Sequence, residues 1–173
     1  MPLIKRRLGR LLLVMFHRTL IFVLLLSSAL ETAWAETQSF LFPANARFIF
    51  PASKGAPLLQ QCSRNTPKNI SGFWEPSPKE IERLEKLLVY YLADREKARA
   101  PVPPRGMQYH RQYVGIVRAG VRMIYGNFYP GGAPREAEKT GPAIICDGGP
   151  SHWGVVFNPQ TGEFEELEFN GVA

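Results

Sequence analysis

The sequence contains little of the chemistry on which most enzymes and metal proteins depend. Its 173 residues include only two cysteines and three histidines. It has no G-x-S-x-G nucleophile elbow, no H-E-x-x-H zinc pattern and no phosphate-binding P-loop. His110 and His152 stand singly, without the closely spaced second ligand that zinc sites usually have. We therefore predict no catalytic residues, no cofactor and no metal, and we expect a non-catalytic domain.

A surplus of basic residues on the mature part is also missing. The net charge of +6 rests on 21 basic and 15 acidic side chains, but residues 1–35 hold five of the former and one of the latter. The remainder has 16 basic and 14 acidic side chains, a net charge of +2. A surface that tracks nucleic-acid phosphates usually needs a dense basic stripe. We predict no nucleic-acid partner.

No apolar run is long enough to span a membrane. Residues 19–30 form an apolar stretch of about 12 residues, where a spanning helix needs about 20. Basic residues precede this stretch, and Ala33-Trp34-Ala35 follows it just before Glu36, which is the order of a secretory leader. We predict that residues 1–35 are a cleavable signal peptide, with translation from Met1 or Met15. Residues 36–173 are then one mature domain without a membrane anchor, in the periplasm or outside the cell.

The two cysteines have two interpretations. In an exported chain a pair of cysteines usually forms a disulfide, so we predict a Cys62–Cys146 bond joining an irregular N-terminal segment to a sheet. The alternative is a nucleophilic Cys146 served by His152 or His110, as in a small hydrolase or transferase. No helix N-terminus that would favour the thiolate is predicted beside Cys146.

One helix is strongly indicated after the irregular segment, residues 36–76. Ser77 and Glu80 form a capping box around Pro78, the first helical residue. Apolar residues then recur at helical spacing, and charged residues including Glu85 are expected on the opposite, solvent-facing side. The pattern fades by Ala98, before a run of prolines. The apolar stripe consists of Ile81, Leu84, Leu87, Leu88, Tyr91 and Leu92.

Strand patterns fill the rest of the chain. Residues 109–117 and 121–129 are two β-rich runs around a short turn containing Gly120. A loop leads to the apolar run 143–146, and two further strands cover residues 152–157 and 163–169. Phe164 is out of phase with Leu167 and Phe169, which predicts a bulge in the last strand. The expected fold over residues 77–173 is α+β, with one amphipathic helix on a curled antiparallel meander of four to five strands.

The order of these elements over residues 77–169 resembles the cystatin-like architecture. Cystatins that inhibit proteases carry a Gln-x-Val-x-Gly loop. Residues 112–116 read Gln-Tyr-Val-Gly-Ile, with the glycine one position early and inside a predicted strand. The resemblance therefore implies the fold outline and carries no inhibitory function.

Aromatic and arginine side chains are concentrated on the predicted hairpin. Strand alternation puts Tyr109, Arg111 and Tyr113 on one face, and the charge of Arg111 predicts that this face meets water. Tyrosine and arginine together are typical of binding surfaces. We expect a module that binds a protein or a cell-envelope component, of the inhibitor or immunity type. The predicted surface comprises Tyr109, Arg111, Tyr113, Arg122, Tyr125 and Trp153.

Overall fold

A six-stranded sheet organises the part of the chain that the computed structural model describes, residues 42–132 and 135–172. The strands are β1 (Arg47–Ile49), β2 (Ile70–Trp74), β3 (Tyr109–Arg118), β4 (Val121–Pro130), β5 (Trp153–Phe157) and β6 (Phe164–Phe169). The helices are α1 (Gly55–Leu58), α2 (Pro78–Lys97) and α3 (Glu136–Thr140). The architecture is therefore α+β. The expected signal peptide lies outside the described residues.

The sheet combines the predicted meander with two strands from the N-terminal segment. Strands β3 to β6 follow one another as an antiparallel meander. The outer edge of β3 is shared, because β1 pairs with it in parallel at 111–113 and β2 pairs antiparallel at 115–118. The sheet thus has more strands than the four to five expected, because residues 36–76 are less irregular than their composition indicates. The apolar run 143–146 forms no strand.

Helix α2 begins and ends where the sequence predicts. The Ser77 hydroxyl oxygen accepts from the Glu80 N–H at 3.3 Å, and the Ser77 N–H donates to the Glu80 carboxylate at 2.8 Å. Ala98 is the C-cap. These reciprocal bonds satisfy backbone donors that the first helical turn leaves without a partner. None of the helices in the described residues is both long and apolar enough to cross a bilayer.

Both faces of the sheet are covered, and each cover buries its own apolar cluster. Helix α2 covers the first face, which we call the helix face. Its cluster is Phe42, Ile81, Leu84, Leu88, Tyr109, Tyr113, Ile124, Phe128, Trp153, Val155 and Phe157. On the second face the cluster contains Leu58 of α1 and Phe50 from the N-terminal segment. The sheet residues in it are Val114, Ile116, Met123, Tyr125 and Val156.

The predicted bulge in β6 is confirmed by the register of its pairing with β5. Gly154 faces Glu168 and Val156 faces Glu165, so β6 has one extra residue over this interval. Glu166 has a φ of +51°, the left-handed conformation common at bulges. The extra residue lets Phe164, Leu167 and Phe169 all join the helix-face cluster.

The turn between β3 and β4 contains a strained residue. Ala119 and Gly120 have φ values of +51° and +78°, so the hairpin has a two-residue loop with both residues left-handed. Glycine adopts this conformation freely, whereas alanine in it costs about 1–2 kcal/mol. The conformational cost of Ala119 in this turn therefore lowers the stability of the folded protein.

We expect Ala119→Asn to raise the free energy of unfolding by about 0.5–1 kcal/mol, because asparagine tolerates the left-handed conformation. Urea unfolding followed by circular dichroism measures the change. Ala119→Val is the opposite control and lowers stability, since β-branching makes a positive φ worse. A change of stability in the same direction for both substitutions would contradict a left-handed conformation at Ala119.

Candidate functional site

Most of the expected binding surface lies inside the molecule. Tyr109 and Tyr125 are each 2 % exposed, and Arg111, Tyr113 and Trp153 are fully buried. Tyr109, Arg111, Tyr113 and Trp153 are on the helix face, whereas Tyr125 faces the other way. The expectation that this hairpin face meets water is thus corrected, because α2 covers it. Only Arg122 remains at the surface.

Glu85 of α2 is the counter-ion of Arg111. The sequence pattern predicts Glu85 on the solvent-facing side of that helix, and this prediction is wrong. Glu85 is 1 % exposed and accepts from the Arg111 Nε at 2.9 Å. The same carboxylate accepts from the Tyr113 hydroxyl at 3.0 Å and from Arg47 of β1. Glu85 is four residues after Ile81 and three before Leu88, and this spacing is the signal for its burial.

These four residues form a polar cluster within an apolar interface. Arg111 also donates through Nη1 to the carbonyl oxygens of Pro43, at 2.8 Å, and Tyr109, at 3.0 Å. Burial, followed by the Glu85 charge, raises the pKa of Tyr113 well above its ordinary value. The Glu85 carboxylate lies between the guanidinium groups of Arg47 and Arg111. Because neither Glu85 nor Arg111 is open to solvent, we interpret this arrangement as structural. We name Glu85, Arg111, Arg47 and Tyr113 the helix–sheet ion cluster.

Arg122, which is exposed, lies against an indole ring. Its guanidinium is 3.6 Å from the centroid of the Trp74 ring. The Trp74 Nε1 donates to the Ile116 carbonyl at 3.1 Å, which fixes the ring on the sheet. Gly115 permits this, because a Cβ there would lie 2.3 Å from the indole. The interaction is a cation–π pair between β2 and β4 at the surface of the sheet.

A second polar network holds loops onto the second face of the sheet. Arg64 donates to Tyr125, Asn127 and Asn170, with 2.6 Å to the Asn170 amide oxygen. Asn170 donates in turn to the carbonyls of Ile145 and Asp147, both at 2.7 Å. Gly154 leaves room for this contact, because a Cβ would lie 2.7 Å from the Tyr125 hydroxyl. The network orders the loop that takes the place of a further strand.

His110 belongs to the same second face and holds α3. Its Nδ1 lies 2.9 Å from the Glu138 carboxylate and its Nε2 lies 2.8 Å from the Gly132 carbonyl. Both partners accept hydrogen bonds, and the imidazole is 3 % exposed. Gln112 adds donors to the carbonyls of Glu138 and Gly141. Both ring nitrogens of His110 are therefore engaged with Glu138 and Gly132.

The two cysteines form the predicted disulfide. Cys62 and Cys146 are bonded, with their Cα atoms 5.2 Å apart. The alternative mechanism needs a Cys146 thiolate, and in the disulfide that sulfur is already bonded. His152, the other proposed base, contacts the Ser151 hydroxyl at 3.1 Å and the Gly148 carbonyl at 3.2 Å. In the described residues, no group of three or more His, Cys, Asp or Glu side chains is placed to hold a metal ion.

A shallow, open groove lies between α2 and the start of β6. It has a volume of about 460 Å³ and is lined by Leu87, Tyr90, Tyr91, Gly162, Glu163, Phe164 and Glu165. Tyr91 stacks on Phe164 with ring centroids 4.8 Å apart, which forms an aromatic floor. Glu163 is exposed at the rim. We name this feature the α2–β6 groove. Sequence reasoning missed it because its residues come from two distant segments.

The buried tyrosines make stability sensitive to alkaline pH. Burial raises the pKa of Tyr109 to about 12, from a model-peptide value of 10.0. Burial also raises the pKa of Tyr125 and, together with Glu138, that of Tyr129. The folded state thus keeps these hydroxyls protonated at a pH where the unfolded chain releases them. The stability they contribute is complete below about pH 10 and is lost as pH rises through the folded pKa values.

We expect the free energy of unfolding to fall between pH 10 and pH 12 by up to about 1.4 kcal/mol per pH unit for each tyrosine concerned. Urea unfolding at stepped pH measures the slope. The Tyr129→Phe variant has one titrating group fewer, so its slope should be shallower. Tyr90→Phe, at a side chain 44 % exposed, serves as the matched control. A Tyr129→Phe slope equal to that of the parent would contradict the assignment.

Comparisons with family models, with curated proteins and with solved structures gave no match to this chain.

Proposed function

We propose that the chain is an exported, non-catalytic domain that binds a protein or cell-envelope component through the α2–β6 groove. The groove is the observation that carries this proposal. The groove is shallow and open, and its lining is aromatic and apolar with carboxylates at the rim. Sites of this composition are typical of recognition surfaces.

The proposed compartment is supported by two independent features. The leader pattern of residues 1–35 matches the order that export machinery reads. The Cys62–Cys146 disulfide suits an oxidising compartment such as the periplasm or the extracellular space. A small exported domain with its thiols bonded fits a module of the inhibitor or immunity type better than a thiol hydrolase.

Hydrogen bonds hold the elements on both sides of the groove, which favours binding without large rearrangement. Leu87 and Tyr91 extend from a capped helix, and Phe164 follows a loop closed by the Asn158 N–H to the Glu163 carbonyl at 2.9 Å. Arg83 of α2 donates to the Pro159 carbonyl and joins the helix to this loop. Preorganised walls reduce the entropy lost when a partner binds.

Export is tested by intact-mass spectrometry of the protein produced in a secreting host. We expect a mass corresponding to residues 36–173 with two hydrogens lost to the disulfide. A retained leader, or alkylation of both cysteines without reductant, would overturn this part of the proposal.

Binding through the groove is tested by position-specific photo-crosslinking. A photoreactive amino acid is placed at Glu163 on the groove rim and, as a control, at Ile144, which is 44 % exposed in residues 143–148, here called the Cys146 loop. Both proteins are irradiated with envelope extract. We expect an adduct from position 163 that excess unmodified protein suppresses, and none from position 144. Adducts of equal yield at both positions, or none at either, would refute the groove as the site.

A further inference from the structure

Strand β6 is an edge strand with its outer backbone groups available for pairing. It is last in the sheet order, and in the described residues its ladder partner is β5 alone. The Asn158 N–H donates to the Glu163 carbonyl at 2.9 Å. Hydrogen-bonded and non-bonded pairs alternate along an antiparallel ladder, so the next pair, Phe157 with Phe164, is non-bonded. The N–H and C=O of Phe164 therefore point away from β5.

Phe164, whose backbone groups point outward, is also one of the residues that line the α2–β6 groove. Phe164 and Glu165 line the groove from the strand, and Leu87 and Tyr91 line it from the helix. The Phe164 ring is on the helix face, stacked on Tyr91. Side chains of a strand added to this edge would alternate between the two faces of the sheet. Every second one would therefore point towards α2, beside Phe164 and into the groove.

The edge carries four carboxylates within six residues. Glu165 and Glu166 form salt bridges with Arg118. Glu163 and Glu168 have no cationic partner in the described part of the chain. A second copy of β6 would bring carboxylates opposite carboxylates, and like charges facing each other across a ladder are destabilising. A strand with basic side chains removes this repulsion and gains opposite-charge pairs.

The bulge limits which strands are accepted. Glu166, with φ of +51°, interrupts the regular edge after Phe164 and Glu165. Bulges and charged side chains are the usual protection of an edge against indiscriminate pairing. A partner therefore pairs over a short length beside the groove, where an apolar side chain adds contact area to the backbone hydrogen bonds.

We propose that β6 accepts an extended, basic segment of a partner protein as a seventh strand, with one apolar side chain of that segment in the α2–β6 groove. The proposal rests on the proposed function and specifies its partner. Main-chain hydrogen bonds supply affinity in this mode of recognition, and the groove with its carboxylates supplies selectivity.

A defined peptide tests the proposal on the mature protein with its disulfide intact. The probe is a short fluorescein-labelled peptide in which lysine alternates with valine around one central phenylalanine. One control peptide has glutamate in place of each lysine. The other carries N-methyl groups on alternate amides, which removes strand donors without changing charge. Fluorescence anisotropy gives the affinities, and amide chemical shifts locate the contact.

We expect the lysine peptide to bind, the glutamate peptide not to bind, and N-methylation to weaken binding at least tenfold. Amide shifts should be largest at Phe164 and its neighbours. Glu163→Gln should weaken binding roughly twofold to fivefold at low salt, and Glu168→Gln, which lies beyond the bulge, should weaken it less. Glu136→Gln, a matched charge loss in α3 with a carboxylate 79 % exposed, should leave affinity unchanged.

Three results would each overturn strand addition: no binding of the lysine peptide, equal binding of its N-methylated form, or equal loss of affinity in Glu136→Gln and Glu163→Gln. The proposed function is tested separately, by the photo-crosslinking experiment at position 163. A persistent adduct from position 163 together with no peptide binding would reject the basic strand while keeping the groove as the site.

Discussion

Replacing Glu85 with alanine is expected to lower the free energy of unfolding by about 3–5 kcal/mol, because it leaves a buried cation without its counter-ion. Arg111 is fully buried, and its Nη2 has no hydrogen-bond partner in the described residues even with Glu85 present. Removing the carboxylate takes away the acceptor of the Arg111 Nε and of the Tyr113 hydroxyl together. Domains of this size are stable by only about 5–15 kcal/mol, so the loss is a large share of the total.

Two further variants separate the charge effect from general damage to α2. Glu82→Ala removes a carboxylate from the same helix, 64 % exposed and 3.8 Å from Arg47, and is expected to change stability by less than about 1 kcal/mol. Replacing Glu85 with leucine and Arg111 with methionine together removes both buried charges and should restore most of the stability. Urea unfolding of Glu85→Leu, of Arg111→Met and of their double variant gives the coupling between the two residues.

A Glu85→Ala variant within about 1 kcal/mol of the parent protein would show that the cluster is hydrated in solution. A double variant no better than Glu85→Ala would show that side-chain shape, and not uncompensated charge, explains the loss. Either result would contradict a buried helix–sheet ion cluster.

The elements that the sequence predicts well are those decided by local chemistry. The capping box at Ser77 and Glu80 needs only residues three apart, and helix α2 begins there. The bulge in β6 follows from a change of phase between Phe164 and Leu167 within a single strand. Ala119 and Gly120 form the loop of the β3–β4 hairpin, as the short turn between two β-rich runs predicts. In each instance the determining residues are neighbours in the chain.

The burial of Arg111 could not be predicted in the same way, because its cause lies in another element. A charged residue on a strand normally marks a solvent-facing side, and this rule fails where a distant carboxylate supplies the counter-charge. Glu85 comes 26 residues earlier on a helix whose charged residues were all assigned to solvent. The place of strand β1 in the sheet could not be predicted either, since Arg47–Ile49 pairs with β3 in parallel and not through a hairpin.

The candidate site was missed for the same reason. Leu87 and Tyr91 belong to the apolar stripe of α2, so the sequence predicts that they are core residues. The sequence pattern around Glu163 predicts a solvated acidic strand. All three residues line the groove. The groove is lined from α2 by Leu87, Tyr90 and Tyr91 and from the other side by residues 162–165. A groove formed between two elements cannot be recognised from the sequence of either element alone.

Loss of the Cys62–Cys146 disulfide is expected to lower the free energy of unfolding by about 2–4 kcal/mol and the melting temperature by roughly 10 °C. The bond joins residues 84 positions apart, so the unfolded chain gains much conformational freedom when it is absent. Both cysteines are exposed, which leaves the bond accessible to reductants. The measurement is thermal unfolding of the mature protein with and without dithiothreitol.

The surrounding hydrogen bonds predict where the loss is felt. The Ser63 hydroxyl accepts from the Asp147 N–H at 2.9 Å, and Asn170 holds the carbonyls of Ile145 and Asp147. These bonds keep the Cys146 loop near its native position, so the protein without the disulfide should remain folded. Amide hydrogen exchange should increase in residues 143–148 and stay unchanged in α2, because only the loop loses its covalent tether.

The double variant Cys62→Ser, Cys146→Ser is the matched control, since its melting temperature must not respond to dithiothreitol and should equal that of the reduced parent. A parent protein whose melting temperature is unaffected by reductant, with both thiols shown by alkylation to be free, would mean that the bond contributes nothing to stability. The loop would then be held by the Arg64 and Asn170 network alone. The disulfide would in that event be a consequence of the oxidising compartment, with no part in holding the N-terminal segment on the sheet.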